Sequence, residues 1–291
     1  MLFSSMVCGF SLRGHSGRSS SLRKYSFMSH AFVDIHCHLL PGVDDGSPDL
    51  ATTLAMAKMA VESGTRAMIL TPHQLGANSH NHGDDLRRKT AELQHQLEQT
   101  GSCLQVLPGA DVRIEDGMFE KLASGEVLTL ADRKRHVLLE LPHELYFPLE
   151  GLLEQLKRMG LVGILSHPER NEGLLRDPGV LPGLVDAGCL MQVTAGSLVG
   201  GMGKAPQKLA EWMVAEGLVH FLATDAHGLR ARRPRMHHAF KRLSDLAGEE
   251  MAIELCCDNP AMVAAGEEVA PGRRKPQTSL WQRLFSPRRV A

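Results

Sequence analysis

The sequence predicts an α/β protein whose strands are parallel and covered by helices, and three observations carry that expectation. Short aliphatic or β-branched runs alternate with amphipathic stretches in about seven units between residues 32 and 225. The runs are apolar on both faces, as in parallel strands covered from each side, and their spacing suits right-handed βαβ crossovers. Nearly every run ends in a side chain able to bind a metal ion. A barrel and an open doubly wound sheet both fit this pattern.

Phe32–Ile35 reads as the first strand, followed by a turn-rich loop with Pro41, Gly42, Asp44, Asp45 and Gly46. Asp49–Glu62 is helical, with Leu50, Leu54, Ala57 and Val61 on one face. Ala67–Leu70 runs into Thr71-Pro72-His73, and a helix over 84–99 follows. Leu104–Leu107 leads to Pro-Gly-Ala-Asp111, and Val137–Leu139 to Glu140. A helix is expected over 148–159. Val162–Leu165 ends in Ser166-His167-Pro168, Leu190–Val193 in Thr194, and Val219–Ala223, after a helix over 205–216, in Thr224-Asp225.

Composition narrows the function classes. No apolar run approaches the roughly 20 residues of a membrane-spanning helix, and aromatics are only 4%, too few for stacking on single-stranded nucleic acid. The formal charge of −1 hides a segregation. Residues 1–30 carry +4 and residues 271–291 carry +6, which leaves −11 for residues 31–270. An acidic body disfavours phosphate-backbone binding and suits divalent cations. The six cysteines show no zinc-finger or CxxC spacing. Four lie in or beside apolar runs, so buried free thiols and a reducing, cytoplasmic setting are expected. The Ser/Arg-rich residues 1–30 read as a disordered basic extension, transit-like, or as a start placed too early. Residues 271–291 read as a disordered basic tail, or as a docking segment through Leu280, Trp281, Leu284 and Phe285.

The strand-end side chains point to chemistry. In parallel α/β folds, active sites lie where the carboxyl ends of the strands converge. His36 and His38 alternate across Cys37, so both imidazoles reach one side of the chain, and Asp225-Ala-His227 repeats the arrangement. With His73, His167, Asp45, Asp111 and Glu140 the donors number nine. One zinc ion takes about four, so two or three ions are expected. Nitrogen and oxygen donors without thiolate favour Mn, Fe or Zn. Glu140 by itself also suits a helix cap, and Asp44-Asp45 a turn. His80 and His82 read as solvated. Closely spaced ions suit in-line displacement at phosphorus, for which Arg170 and Arg232 are expected to hold phosphate oxygens. Arg233 lies beside Arg232, and Arg113 is left open between phosphate and an ion pair. Asp45 or His227, where free of metal, is a candidate proton donor. No Cys-x5-Arg loop is present, which excludes a cysteinyl-phosphate route.

Asp34-Ile-His-Cys-His38, Val43-Asp-Asp-Gly46, Thr71-Pro-His73, Gly109-Ala-Asp-Val-Arg113, Ser166-His-Pro-Glu-Arg170 and Ala223-Thr-Asp-Ala-His227 resemble the PHP (polymerase and histidinol phosphatase) superfamily. The closer resemblance is to its bacterial tyrosine-phosphatase branch, encoded beside capsule and exopolysaccharide genes, and it spans roughly residues 32–265. It implies a distorted (β/α)7 barrel of the TIM-like PHP fold over residues 31–270, with a trinuclear, manganese-type site. The implied ligands are His36, His38, Asp45, His73, Asp111, Glu140, His167, Asp225 and His227, with Arg170 and Arg232 on phosphate. The implied reaction is attack by metal-bound hydroxide on phosphotyrosine in the tail of a membrane-bound bacterial tyrosine kinase that controls polysaccharide export. Two departures stand out. Asp111 occupies a position commonly held by Glu, so an ion is expected to shift or weaken there. The segment after His73 lacks the basic residues often found there. A histidinol-phosphate-type phosphatase and a non-catalytic phosphotyrosine-binding regulator are the alternatives, and a homo-oligomer is compatible with all three.

Overall fold

The structure, a computed structural model, describes residues 31–274. Both basic ends, with the expectations placed on residues 1–30 and on Leu280, Trp281, Leu284 and Phe285, lie outside the described residues.

Nine strands occur among those residues. β1 (Phe32–Cys37) leads to α1 (Leu50–Glu62), whose first turn is capped by Asp49 accepting from the Thr52 amide at 2.7 Å. β2 (Thr65–Leu70) is followed by the two-residue β3 (His73–Gln74) and α2 (Gly83–Gln99), and β4 (Gln105–Pro108) by β5 (Asp111–Arg113) and α3 (Met118–Ser124). Then come β6 (His136–Glu140), α4 (Glu150–Arg158), β7 (Val162–Ser166), α5 (Glu172–Arg176), α6 (Leu181–Asp186), β8 (Leu190–Thr194), α7 (Ala195–Leu198), α8 (Lys204–Ala215) and β9 (Phe221–Ala223). The last helices among the described residues are α9 (His237–Ala247), α10 (Glu249–Ile253) and α11 (Asn259–Ala265).

All ladders are parallel, in the orders β1-β2-β4 and β3-β5-β6-β7-β8-β9. β3 continues β2 past the kink at Thr71-Pro72, and β5 continues β4 past Gly109-Ala110. The nine strands therefore make seven staves. A Cβ on Gly109 would lie 2.7 Å from Ile69 Cγ2, so this bend needs glycine. The ring closes where Cys37 bridges Ala226, with the Asp225 amide donating to His36 O at 2.8 Å and the His38 amide to Ala226 O at 2.9 Å. The fold is the distorted (β/α)7 barrel, and the open doubly wound alternative is excluded by this closure.

Inside the staves Val33, Ile35, Ile69, Leu138, Ile164 and Phe221 form one apolar cluster, plugged below by Leu130, Ala131, Val263 and Val269. Two further clusters lie between staves and helices. Each buried Leu or Ile contributes about 1.5–3 kcal/mol, so this layer fixes the frame on which the strand ends converge.

Two expectations need correction. Asp111 does not trail the strand at 104–107; it opens β5, because Gly109 re-aims the chain toward the mouth. The helices α3, α5, α6, α7, α9, α10 and α11 are absent from the sequence reading, since all but α9 are four to seven residues long and show too few turns for a period.

Candidate metal centre

Register explains why β1 supplies two donors. Asp34 pairs with Met68 and Cys37 with Leu70, so β1 holds one more residue than β2 over this stretch. The bulge lets Ile35 face the barrel core while His36, next in sequence, enters the site. His38 follows past the strand end. Cys37 faces away, its thiol against Ile69 O at 3.4 Å. Asp34 is turned aside onto Thr224, accepting from that residue's amide at 3.0 Å and from its hydroxyl. Burial raises the Asp34 carboxyl to a pKa of about 6 against those hydrogen bonds.

The loop carrying Asp44 and Asp45 is folded tightly over His38. A Cβ on Gly46 would sit 2.3 Å from the His38 carbonyl oxygen, and the Ser47 amide donates to that oxygen at 3.0 Å. This places Asp44 Oδ2 2.7 Å from His38 Nδ1 and 3.1 Å from the His73 amide. Gln192 Oε1, on β8, lies 2.8 Å from His36 Nδ1. Each contact suits a proton on Nδ1, so once His36 gives up its second proton both Nε2 atoms, 3.2 Å apart, can present lone pairs to the same space. Sequence reasoning missed Gln192 altogether and, having chosen Asp45 as the ligand, gave Asp44 no role of its own. The only signal for Gln192 was its place two residues before the end of a strand.

All nine expected donors meet at the mouth. They fall into four overlapping groups of close donor atoms: His38, Asp45, His73 and His227; His36, Asp111 and His167; His36, His38 and Asp225; and His73, Asp111 and Glu140. Asp111 belongs to two of them, with Oδ2 at 3.4 Å from His36 Nε2, 3.6 Å from His73 Nδ1 and 3.9 Å from His167 Nε2. The shorter side chain thus still reaches the shared position. Asp225 Oδ1 stands 3.3 Å from His36 Nε2 and 3.5 Å from His38 Nε2. Asp45 Oδ1 stands 3.5 Å from His73 Nε2 and 3.4 Å from His227 Nε2.

Electrostatics sharpen the picture. Burial opposes charging His36, but Asp225 and Asp111 outweigh it and lift its pKa to about 9. His73 rises to about 10 against burial, through Asp45, Asp111 and Glu140. Burial pushes His38 down to about 4 and His167 to about 3. Glu140 is raised to about 7 by burial and by Asp111. His227 and His73 hold Asp45 well below the usual carboxylate range. An ionised Asp45 suits a ligand rather than a proton donor.

The donor set fits metal ions on one further observation. Both oxygens of Asp111, Asp225 Oδ1, His73 Nδ1 and His227 Nε2 are buried without a hydrogen-bond partner. Buried polar atoms are ordinarily satisfied, and bare lone pairs converging from several strands suit a cation.

Arg170 and Arg232 both contact Asp225 Oδ2, and Arg232 Nε also donates to Asp225 O at 3.2 Å. Arg233 turns outward, its Nε on Arg230 O at 2.7 Å. Arg113 lines a cleft of about 240 Å³ with His73, Leu75, Gly76, Asn78 and Glu140. His80 and His82 are exposed, His82 lying 3.6 Å from Glu126. His167, Asp225 and Arg232 have positive φ of 33°, 50° and 46°, and Ala131, Asp132 and Lys134 near the base have 53°, 51° and 54°, so such strained backbone occurs at both ends of the barrel.

The family model for capsular polysaccharide synthesis, CpsB/CapC, matches residues 32–265. The chain belongs to this family. Within CpsB/CapC it is 33% identical over 255 residues to the tyrosine-protein phosphatase YwqE of Bacillus subtilis, covering 87% of this chain and 98% of YwqE. It is 32% identical over 239 residues to CapC of Staphylococcus aureus, covering 82% of this chain and 93% of the relative. Among solved structures it superposes with a TM-score of 0.79 and 31% identity on one from work on YwqE and Streptococcus pneumoniae CpsB, described as unique metal-dependent tyrosine phosphatases. That match spans 85% of this chain and 100% of the other.

Proposed function

We propose that this CpsB/CapC chain is a metal-dependent protein-tyrosine phosphatase that acts on the phosphorylated tyrosine-rich tail of a membrane-bound bacterial tyrosine kinase governing capsular or exopolysaccharide synthesis. The convergence of nine donors with unpartnered buried lone pairs at one barrel mouth carries the reading, and the likeness to YwqE over nearly the whole of that protein supplies the substrate class. His36, His38, Asp45, His73, Asp111, Glu140, His167, Asp225 and His227 would hold two or three divalent ions, with manganese the first choice. Such ions supply Lewis acidity toward phosphoryl oxygens and an ionised water as nucleophile.

The chain's own residues do the rest. Gln192 and Asp44 orient the imidazoles of His36 and His38, so no reorganisation is required when substrate arrives. Arg170 and Arg232, sharing Asp225 at the rim, turn guanidinium donors toward the phosphate. The cleft beside His73 takes the aryl group through Leu75 and Gly76. A tyrosine phenolate has a pKa of about 10 and leaves without strong acid assistance, which agrees with an ionised Asp45. Among the described residues no helix is long and apolar enough to cross a membrane; a cytoplasmic site of action is part of the proposal.

Purified protein supplied with Mn²⁺ should release phosphate from a phosphotyrosine peptide in preference to histidinol phosphate, and lose activity on chelation. Peptide binding without phosphate release, or faster turnover of histidinol phosphate, overturns the proposal.

A further inference from the structure

The loop between β9 and α9 contains four arginines and no acid over residues 228–235. Arg232 turns inward to Asp225. Arg230, Arg233 and Arg235 are exposed, and none of them pairs with a carboxylate among the described residues. Other exposed or half-exposed arginines do pair with acids, as Arg87 does with Asp132 and Arg242 with Glu211, while Arg66 and Arg133 donate to backbone carbonyls. Three unpaired guanidinium groups in six residues are notable on a body whose net charge is −11.

Their placement is tied to the metal centre. The loop starts at Asp225 and His227 and is closed at its base by the His227 amide donating to Arg232 O at 2.9 Å. Arg233 Nε donates to Arg230 O at 2.7 Å, so Arg230 and Arg233 are held together on the turn. Leu229, also exposed, supplies an apolar contact beside them. The loop therefore projects positive charge over the rim while its inner residue reaches the site itself.

We infer that Arg230, Arg233 and Arg235 form a docking surface for anionic side chains flanking the scissile phosphotyrosine of a peptide substrate. The inference rests on the phosphatase reading and adds a substrate preference to it. Complementary charge at a rim acts on encounter and ground-state binding more than on the chemical step. It therefore belongs in KM and in salt dependence. The anion is a carboxylate or a second phosphate; both present the oxygens that guanidinium groups bind.

The test uses the full chain loaded with Mn²⁺ and three peptides of equal length with one central phosphotyrosine. Its neighbours are glutamine in the first, glutamate in the second and further phosphotyrosine in the third. The wild-type protein should favour the anionic peptides about five- to tenfold in kcat/KM, the scale of a few exposed charge pairs, and the advantage should shrink as salt rises. The triple variant R230Q/R233Q/R235Q should lose the preference through KM, with kcat and para-nitrophenyl phosphate turnover unchanged. The glutamate and phosphate arms tell which anion is read. No preference in wild type, or one that survives in the variant, overturns the inference. Failure of the phosphatase reading shows itself separately, as absent para-nitrophenyl phosphate turnover, while fluorescence anisotropy of the same peptides still reports the loop.

Discussion

At the base of the barrel Leu130, Ala131, Val263 and Val269 close the interior with apolar side chains; at the other end of the same strands His36, Asp111 and Asp225 are equally inaccessible to solvent. The difference lies in their partners. The base groups meet hydrocarbon on every side, whereas Asp111 and Asp225 keep carboxylate oxygens buried without a hydrogen bond. An unsatisfied buried polar atom destabilises a fold by about 1–3 kcal/mol, so the mouth detracts from stability that the base supplies. The contrast teaches that burial by itself does not separate frame from site; a cluster of unsatisfied carboxylate and imidazole atoms at converging strand ends does.

The largest effect expected from breaking this contrast is at the mouth. His38→Ala should reduce kcat/KM by more than about 100-fold, beyond the 10–100-fold typical of a supporting residue, with an unchanged far-UV circular dichroism spectrum. Parallel loss of the spectrum would show that His38 serves the frame. At the base, Leu130→Ala should lower unfolding stability by about 2–5 kcal/mol in urea titrations of the metal-free protein. Metal content per folded chain should stay at the wild-type value.

Supporting residues come next. Asp44→Ala and Gln192→Leu should each weaken metal affinity about 10- to 100-fold in a chelator competition, because His38 and His36 lose the acceptors that fix their tautomers. A change in stability with no change in affinity would move both residues from site to frame.

The metal-free mouth should also titrate. His36 and His73 have raised pKa values of about 9 and 10. Their contribution is complete below the unfolded value near 6.5 and fades as pH rises through 9 to 10. His38 and His167 are lowered to about 4 and 3, so theirs is complete above 6.5 and fades as pH falls toward 3. Glu140, raised to about 7, contributes most below its unfolded value near 4.5 and fades as pH rises through 7. Metal-free stability should therefore peak at about pH 6, and metal binding above that pH should release protons, measurable by calorimetry in buffers of different ionisation heat. A flat profile between pH 5 and 9 would contradict the charges assigned here.

The smallest effect is expected from removing residues 275–291. Gly272–Arg274 are tied to the base, with His220 donating to Gly272 O at 3.0 Å and Arg274 paired with Glu254 at 2.9 Å. Truncation after Arg274 should leave turnover of a small aryl phosphate unchanged; a loss would link the tail to the mouth.

Much of this was legible in the chain. Apolar runs fell on strands because burial on both faces demands them, and β6, β7 and β8 were located to within a residue or two. The nine donors were legible because a parallel fold gathers strand ends, so position along each run stood in for position in space. Gln192 was not, since nothing local distinguishes an amide that buttresses a histidine from one that merely sits within a strand. Arg170 and Arg232 were expected on phosphate, yet in the structure they share Asp225, a contact between residues 55 and seven positions apart.

The sequence by itself determined the alternation of strand and helix, the acidic body between basic ends and the identity of the donors, because period, charge and residue type are local quantities. Only the tertiary structure decided that the staves close through Cys37 and Ala226, that a bulge turns His36 inward while Asp34 turns away, and that Asp111 reaches two donor groups. Those outcomes depend on register and on contacts between distant residues, which no single stretch of chain specifies.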